Sequence, residues 1–456
     1  QIGKTNEAIE HYQKALQIDP NMPQAHNNLG FELAQLGKTN EAIEHYQKAL
    51  QIDPDFAKAR NNLALLLNEQ GKANEAIEQY QKALQIDPNM PQAHNNLGSA
   101  LAQLGKTNEA IEHYQKALQI DPGFAKAHNN LGLVLNEQGK TNEAIEHYQK
   151  ALQIDPDFAK AHHNLGVLLA KLGKINEAIE HYNKALQLNP EDTETLFNLG
   201  DALARQGKTD QAINYLNKAL QINPDYAEVH SNLGSIYIKQ GNLEKAIYHS
   251  NQALRLNPQL VEAHNNLGIA LMQKAKIEAA IDQFQKALQI KPDFILAENN
   301  LKRALAILQE LETEISRLQE LLKDSPENVE MHFQLGNLFF TRGDQRQAIQ
   351  RYNKALQLNP KFVPALNNLA LVTAANKEYD KALTIFLDVL NYYPDDAETH
   401  YNVACMYSRL KRVDESIEWL KKAIDKGYKN WQSIKSDDDL DNIRDTVGYK
   451  ELIKDH

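Results

Sequence analysis

Apolar residues recur along this chain at helical spacing, and the whole pattern then recurs. In residues 23–56, Leu29, Leu33 and Leu36 fall at i, i+4 and i+7, one stripe of a helix. Ala42, Ile43, Tyr46, Ala49 and Leu50 make a second stripe. Gly37 lies between the two, where a left-handed residue ends a helix without strain. Thr39 or Asn40 is expected to cap the second helix, with Glu41 at the positive end of its dipole. Asp53-Pro54 closes it, because proline pushes the residue before it out of the helical region. No alternating strand pattern appears, so the expected class is all-α, built of helix–turn–helix hairpins.

The period is 34 residues. Pro20, Pro54, Pro88, Pro122, Pro156, Pro190, Pro224, Pro258, Pro292, Pro326, Pro360 and Pro394 stand in unbroken register. The expected organisation is a partial repeat at 1–22, eight regular repeats over 23–294, an irregular ninth at 295–328, three more over 329–430 and a closing segment at 431–456. Within the first full unit, His26, Leu29, Gly30, Leu33, Ala42, Tyr46, Ala49 and Pro54 occupy positions 4, 7, 8, 11, 20, 24, 27 and 32. This resembles the tetratricopeptide repeat (TPR) signature along almost the whole chain. The resemblance implies a right-handed superhelix of stacked hairpins, an α-solenoid whose first helices line a concave groove.

Departures from the pattern are informative. Residues 21–88 and 89–156 differ at only eight positions, as recent duplication would leave them. The ninth unit has Lys302, Glu314 and Leu321 where small residues allow close helix approach. Its apolar residues Ala304, Leu308, Leu311, Ile315, Leu318 and Leu322 instead form a coiled-coil-like seam, so 297–323 reads as one long helix or a tightly linked pair. Gln1 falls mid-repeat, which predicts upstream sequence and, with it, any signal peptide. The run from Tyr401 through Trp419 to Asp437-Asp438-Asp439-Leu440 resembles the end-of-group module of bacterial TPR arrays, with a last helix near 446–454.

The net charge of −11, without basic blocks, argues against nucleic acid and anionic membranes. No apolar run approaches 18 residues, so no membrane insertion is expected. A single cysteine, Cys405, excludes an internal disulfide framework, and it is expected to be a small packed residue. No phosphate-cradling glycine loop or glycine-flanked nucleophile occurs, so neither an enzyme nor a cofactor is expected. Sixteen histidines raise the question of metal. Their copies one repeat apart lie about 9–10 Å from each other, too far to share an ion, and no metal site is expected. Sixteen added protons would carry the charge from −11 to +5, so acid is expected to alter association.

The groove positions that the resemblance implies carry the candidate site. Position 6 holds Asn28, Asn62, Asn96, Asn130, Asn164, Asn198, Asn232 and Asn266, then Asn300, Asn368 and Asn402. An amide offers donor and acceptor together, so a ladder of them suits the backbone of an extended peptide, or serves only to bond neighbouring helices. The arrangement is similar to the TPR arm of O-linked N-acetylglucosamine transferase. Lys58, Asn62, Asn96 and Lys126 match four of the five residues of the carboxylate clamp in chaperone-binding TPR domains, with Asn130 in place of its arginine. Position 2 runs from Lys58, Lys126 and Lys160 to Glu194, Glu228 and Glu262, which would give a bound segment a direction or guide self-association. The expected function is a non-catalytic scaffold for protein–protein interaction, cytoplasmic, binding extended segments or subunit surfaces of a multiprotein assembly. The alternatives are the substrate-recruiting arm of a larger glycosyltransferase, or a self-assembling structural subunit.

Overall fold

A computed structural model describes residues 2–454, and it is helical from end to end. The chain divides into two compact units, Gln1–Ile222 and Asn223–His456. In the first, helix Ile2–Ile18 precedes six hairpins, from Pro23–Gln35 with Thr39–Ile52 to Thr193–Arg205 with Thr209–Ile222. In the second, hairpins 7 and 8 occupy 227–290, hairpins 10 to 12 occupy 329–425, and the ninth period is different.

Each hairpin closes on small residues. Ala42 and Ala49 of hairpin 1 are fully buried, and Tyr46 is 2 % exposed. A Cβ on Gly30 would come within 2.9 Å of the Tyr46 ring, so the absent side chain is what lets the ring lie across the first helix. Gly37 adopts φ +72°, as the turn requires. Lys377 and Lys411 take φ 64° and 61° at the equivalent turns of hairpins 11 and 12, a conformation that costs a non-glycine residue energy.

Neither Thr39 nor Asn40 is the cap. Lys38 holds that place without a side-chain bond, and its carbonyl accepts from the Ala42 amide at 3.0 Å. The helix therefore begins one residue earlier than the capping residue types suggest. Side-chain caps do occur in the second unit, at Asn242, Asn328, Asp344 and Asp396.

Over the ninth period the chain forms one helix, Ile295–Asp324, of 30 residues. Ala304 packs with Ile277, Ile281 and Phe284 of hairpin 8. Ile315, Leu318 and Leu322 pack with Leu335, Phe339 and Tyr352 of hairpin 10. Leu321 and Glu314 are too bulky for a close helix pair, so the chain runs straight and its seam serves two neighbours in turn.

Short helices Trp431–Ser436 and Val447–Leu452 finish the described chain, the latter shorter than the 446–454 expected. Ile434, Leu440, Ile443 and Tyr449 are buried against Leu420 and Ala423 of hairpin 12. The Tyr449 hydroxyl donates to the Ile434 carbonyl at 2.6 Å, and Tyr401 donates to Asp437 at 2.8 Å. Cys405 is 3 % exposed in this cluster, and burial pushes its thiol well above the usual range.

Candidate peptide-binding face

Within each unit, first helices touch the first helices of adjoining hairpins. Second helices pack mainly on their own partner and on the next first helix. The stack therefore curves locally with first helices on the inner side, and positions 2, 6 and 9 of those helices look outward from the packed core.

Position 6 is tied into a relay. Asn62 Nδ2 donates to Asn27 Oδ1 at 3.0 Å, Asn96 to Asn61 at 3.3 Å, Asn130 to Asn95 at 3.0 Å and Asn164 to Asn129 at 2.9 Å. Within each hairpin the position-5 amide hands the bond on. Asn27 donates to Asn28 at 3.2 Å, Asn61 to Asn62 at 3.4 Å, Asn95 to Asn96 at 3.4 Å and Asn129 to Asn130 at 3.3 Å. The chain of amides is continuous and one-directional from Asn164 to Asn28. At the fifth hairpin His163 replaces the position-5 asparagine, and its Nδ1 lies 2.6 Å from Thr195 Oγ1 instead. In the second unit Asn266 donates to the Ser231 carbonyl at 3.1 Å, and Asn300 to Asn265 at 2.9 Å. Asn198 and Asn232 are half-buried at the same register.

An asparagine amide has two N–H groups and two carbonyl lone pairs. In Asn62 and Asn96 the relay takes one N–H and one acceptor site, which leaves one of each on a half-buried, immobilised group, while the Asn130 amide nitrogen also reaches Ser99 Oγ at 3.5 Å. The ladder bonds neighbouring helices, and at Asn62 and Asn96 half of the amide's capacity lies outside the relay. Lys58, Lys126 and Lys160 are exposed on the first turns of their helices. The clamp's Asn62, Asn96 and Asn130 are all members of the relay.

One feature of this face was missed at the level of sequence. Position 9, one turn beyond the ladder, carries Phe31, Leu65 and Leu133, exposed by 48 %, 39 % and 39 %. Large apolar side chains this open at one repeat position of neighbouring hairpins are candidates for a contact surface. The available signal was their bulk at a position that does not serve the hairpin core.

Family models describing a TPR repeat match residues 1–33, 32–71, 65–105, 98–139, 132–173 and 336–377. Models of the tetratricopeptide repeat match 157–225, 192–259, 225–293 and 397–425, and together the matches cover well over half of the chain. The chain belongs to the tetratricopeptide repeat family.

Curated TPR-region relatives share only segments. A chloroplastic protein of Arabidopsis thaliana is 37 % identical over 82 residues, 17 % of this chain and 24 % of its own length. Protein O-mannosyl-transferase TMTC3 of Homo sapiens is 30 % identical over 101 residues, 21 % of this chain and 11 % of its own length. This chain therefore spans a quarter or less of either relative. Among solved structures, PilF of Pseudomonas aeruginosa is 26 % identical, covering 44 % of this chain and 92 % of its own, with a TM-score of 0.42. YrrB, described as a TPR protein with an unusual peptide-binding site, is 24 % identical, covering 41 % and 97 %, with a TM-score of 0.33. No described helix of this TPR chain is long and apolar enough to cross a membrane. No cluster of three or more His, Cys, Asp or Glu among the described residues is placed to hold a metal ion.

The relay makes the TPR ladder a structural as well as a surface element. Asn130→Ala leaves the buried Asn95 without its acceptor bond and Asn129 without its donor bond, an expected loss of about 1–3 kcal/mol. Urea unfolding of the variant beside the parent measures it.

Proposed function

We propose that this TPR protein is a non-catalytic interaction scaffold, and that hairpins 1 to 5 bind an extended peptide segment along their first helices. The observation that carries the reading is the relay of half-buried amides beside an open apolar row. Asn62 and Asn96, already immobilised, each keep a donor and an acceptor for a peptide backbone, at little further ordering cost. Phe31, Leu65 and Leu133 supply apolar contact area to side chains of the bound segment. Lys58, Lys126 and Lys160 along the adjoining edge favour segments with acidic side chains.

A pull-down from the source lysate, read by mass spectrometry, tests this. The parent chain is compared with Asn96→Ala/Asn130→Ala/Asn164→Ala/Asn198→Ala and with Phe31→Ser/Leu65→Ser/Leu133→Ser. The second variant leaves the relay and its contribution to stability untouched. A partner retained by the parent and lost from both variants is the expected result. Equal recovery of the same partners by all three chains removes the reading.

A further inference from the structure

Four hairpins of the first unit repeat a histidine pair, one ring from each helix, that the proposed peptide-binding face does not use. In hairpin 3, His94 Nδ1 lies 2.9 Å from His113 Nδ1, and His94 Nε2 lies 3.2 Å from the Pro88 carbonyl. Hairpins 1, 4 and 5 repeat it with His26 and His45, His128 and His147, and His162 and His181, at 2.9, 2.9 and 2.8 Å. A carbonyl only accepts, so His94 carries its proton on Nε2 and its Nδ1 is a bare acceptor. His113 must then donate from Nδ1, which leaves its Nε2 as an open lone pair. The same logic makes His45, His147 and His181 rings of one tautomer, each with an unshared Nε2.

His113 lines a cleft of about 750 Å³, walled by Gln81, Gln85, Asn89 and Lys116 with Leu84 and Leu97 below. An equivalent cleft of about 460 Å³, set 68 residues along the sequence, holds His181 and Lys184 with Gln149 and Gln153. The clefts lie between one second helix and the next hairpin, where the local curvature opens the stack. A proton added at His113 Nε2 breaks no existing hydrogen bond and creates an outward N–H. Burial of the ring is the largest opposition, as it is for each outer histidine; the His94 ring and then Lys116 add to it at His113, and the preceding helix lines the cleft with neutral Gln81 and Gln85. Lys150 and His128 oppose protonation of His147. For His181 the opposing groups are Lys184 and His162, with Glu177 favouring it. For His45 they are Lys48 and His26, with Glu41 and Glu44 favouring it. An anion seated between imidazolium and ammonium offsets the charge part of that opposition and gives the buried cation a partner.

We propose that these clefts are proton-coupled oxyanion sites, in which the outer histidine and the lysine three residues on clasp a phosphate group. Hairpins 3 and 5 hold such clefts, and hairpin 4 between them carries His147 and Lys150 at the same repeat positions, so the histidine–lysine pairs follow one another at hairpin spacing, about 9–10 Å. That repetition favours a linear polyphosphate over a single phosphate. Binding takes up a proton at each site, so affinity rises as pH falls toward the titration of the outer ring.

The test follows the imidazole carbon-bound protons by NMR across pH 3.5–8, in chloride, in inorganic phosphate and in tripolyphosphate at equal ionic strength. The His113, His147 and His181 midpoints are expected to rise by at least one pH unit in tripolyphosphate, a tenfold preference for the protonated form, and by less in phosphate. Lys116→Gln should abolish the rise at His113 alone. His113→Gln should fold, since Gln79 and Gln283 occupy the same repeat position, and it should lower the number of tripolyphosphate-linked protons measured by calorimetry. Midpoints that are the same in all three salts, or a His113 shift that survives Lys116→Gln, overturn the proposal. Both outcomes are independent of the peptide-binding face.

Discussion

Tyr148→Ala is expected to destabilise the chain by about 3–5 kcal/mol, the usual cost of truncating a fully buried aromatic ring. Tyr148 is 1 % exposed and lies over Gly132, whose missing Cβ would stand 2.9 Å from its ring. Ala144 and Ala151 on either side are fully buried and too small to fill the space the ring would leave. Gly132→Ala is the informative companion. The duplicated hairpin 2 already carries Ala64 at that position, above an equally buried Tyr80, so the ring has room to tilt there. Gly132→Ala should accordingly cost less than about 1 kcal/mol, at the low end of overpacking. Because each hairpin touches only its neighbours, hydrogen exchange in Tyr148→Ala should rise most in hairpins 3 to 5. A Tyr148→Ala variant as stable as Gly132→Ala would mean that the ring does not hold the hairpin closed.

Acid is expected to lower the thermal midpoint on the order of 10 °C between pH 7 and pH 4.5 in a chloride medium. Burial, the facing imidazole and a nearby lysine hold His113, His147, His181 and His249 down at about 4. His45, His94, His128, His162 and His230 are also lowered, burial being the largest cause in each. An imidazole in the unfolded chain titrates near 6.5, so between about 6.5 and 4 the unfolded chain binds protons that the native one refuses. The stabilisation is complete above pH 6.5 and is lost as pH falls through that window. The outer rings, such as His113, His147 and His181, are partly exposed, which brings the contribution to about 1 kcal/mol per dyad after solvent screening. His113→Gln/His147→Gln/His181→Gln should flatten the dependence, because a glutamine does not titrate. Calorimetric scans of both chains measure it. A parent midpoint that is constant across the window, or an equal slope in the triple variant, contradicts the assignment. The same burial shifts any histidine-driven change in association below the pH at which free imidazoles would trigger it.

Much of the architecture was legible because a 34-residue repeat states its rules twelve times. Gly37, the small residues at Ala42 and Ala49 and the Asp-Pro stops each have one physical reading, and the hairpins follow from them. The turn-side cap at Thr39 was misread because Lys38 lets the helix start early through its carbonyl alone. Contacts between residues on different helices were harder to see. His26 meets His45 across a hairpin, 19 residues away, and Asn62 meets Asn27 of the previous hairpin, 35 residues away. Comparing copies one repeat apart, as the metal argument did, looks past both separations. The position-6 asparagines were visible as a series, but their bonding was not, since an amide's residue type does not say which partner it faces. The apolar row at Phe31, Leu65 and Leu133 was hidden by its irregularity, because Ser99 interrupts it.

The most direct test of the proposed peptide-binding face is photocrosslinking with a photoreactive phenylalanine analogue, one position at a time. Positions 65 and 133 lie on first helices beside the amide relay. Positions 86 and 154 end second helices, where Ile86 and Ile154 are similarly exposed, by 37 % and 41 %. In source lysate, crosslinks to a common partner are expected from 65 and 133 and not from 86 or 154, with the crosslinked partner peptide lacking regular secondary structure. A partner captured only through 86 and 154 would place recognition on the second helices and contradict the account.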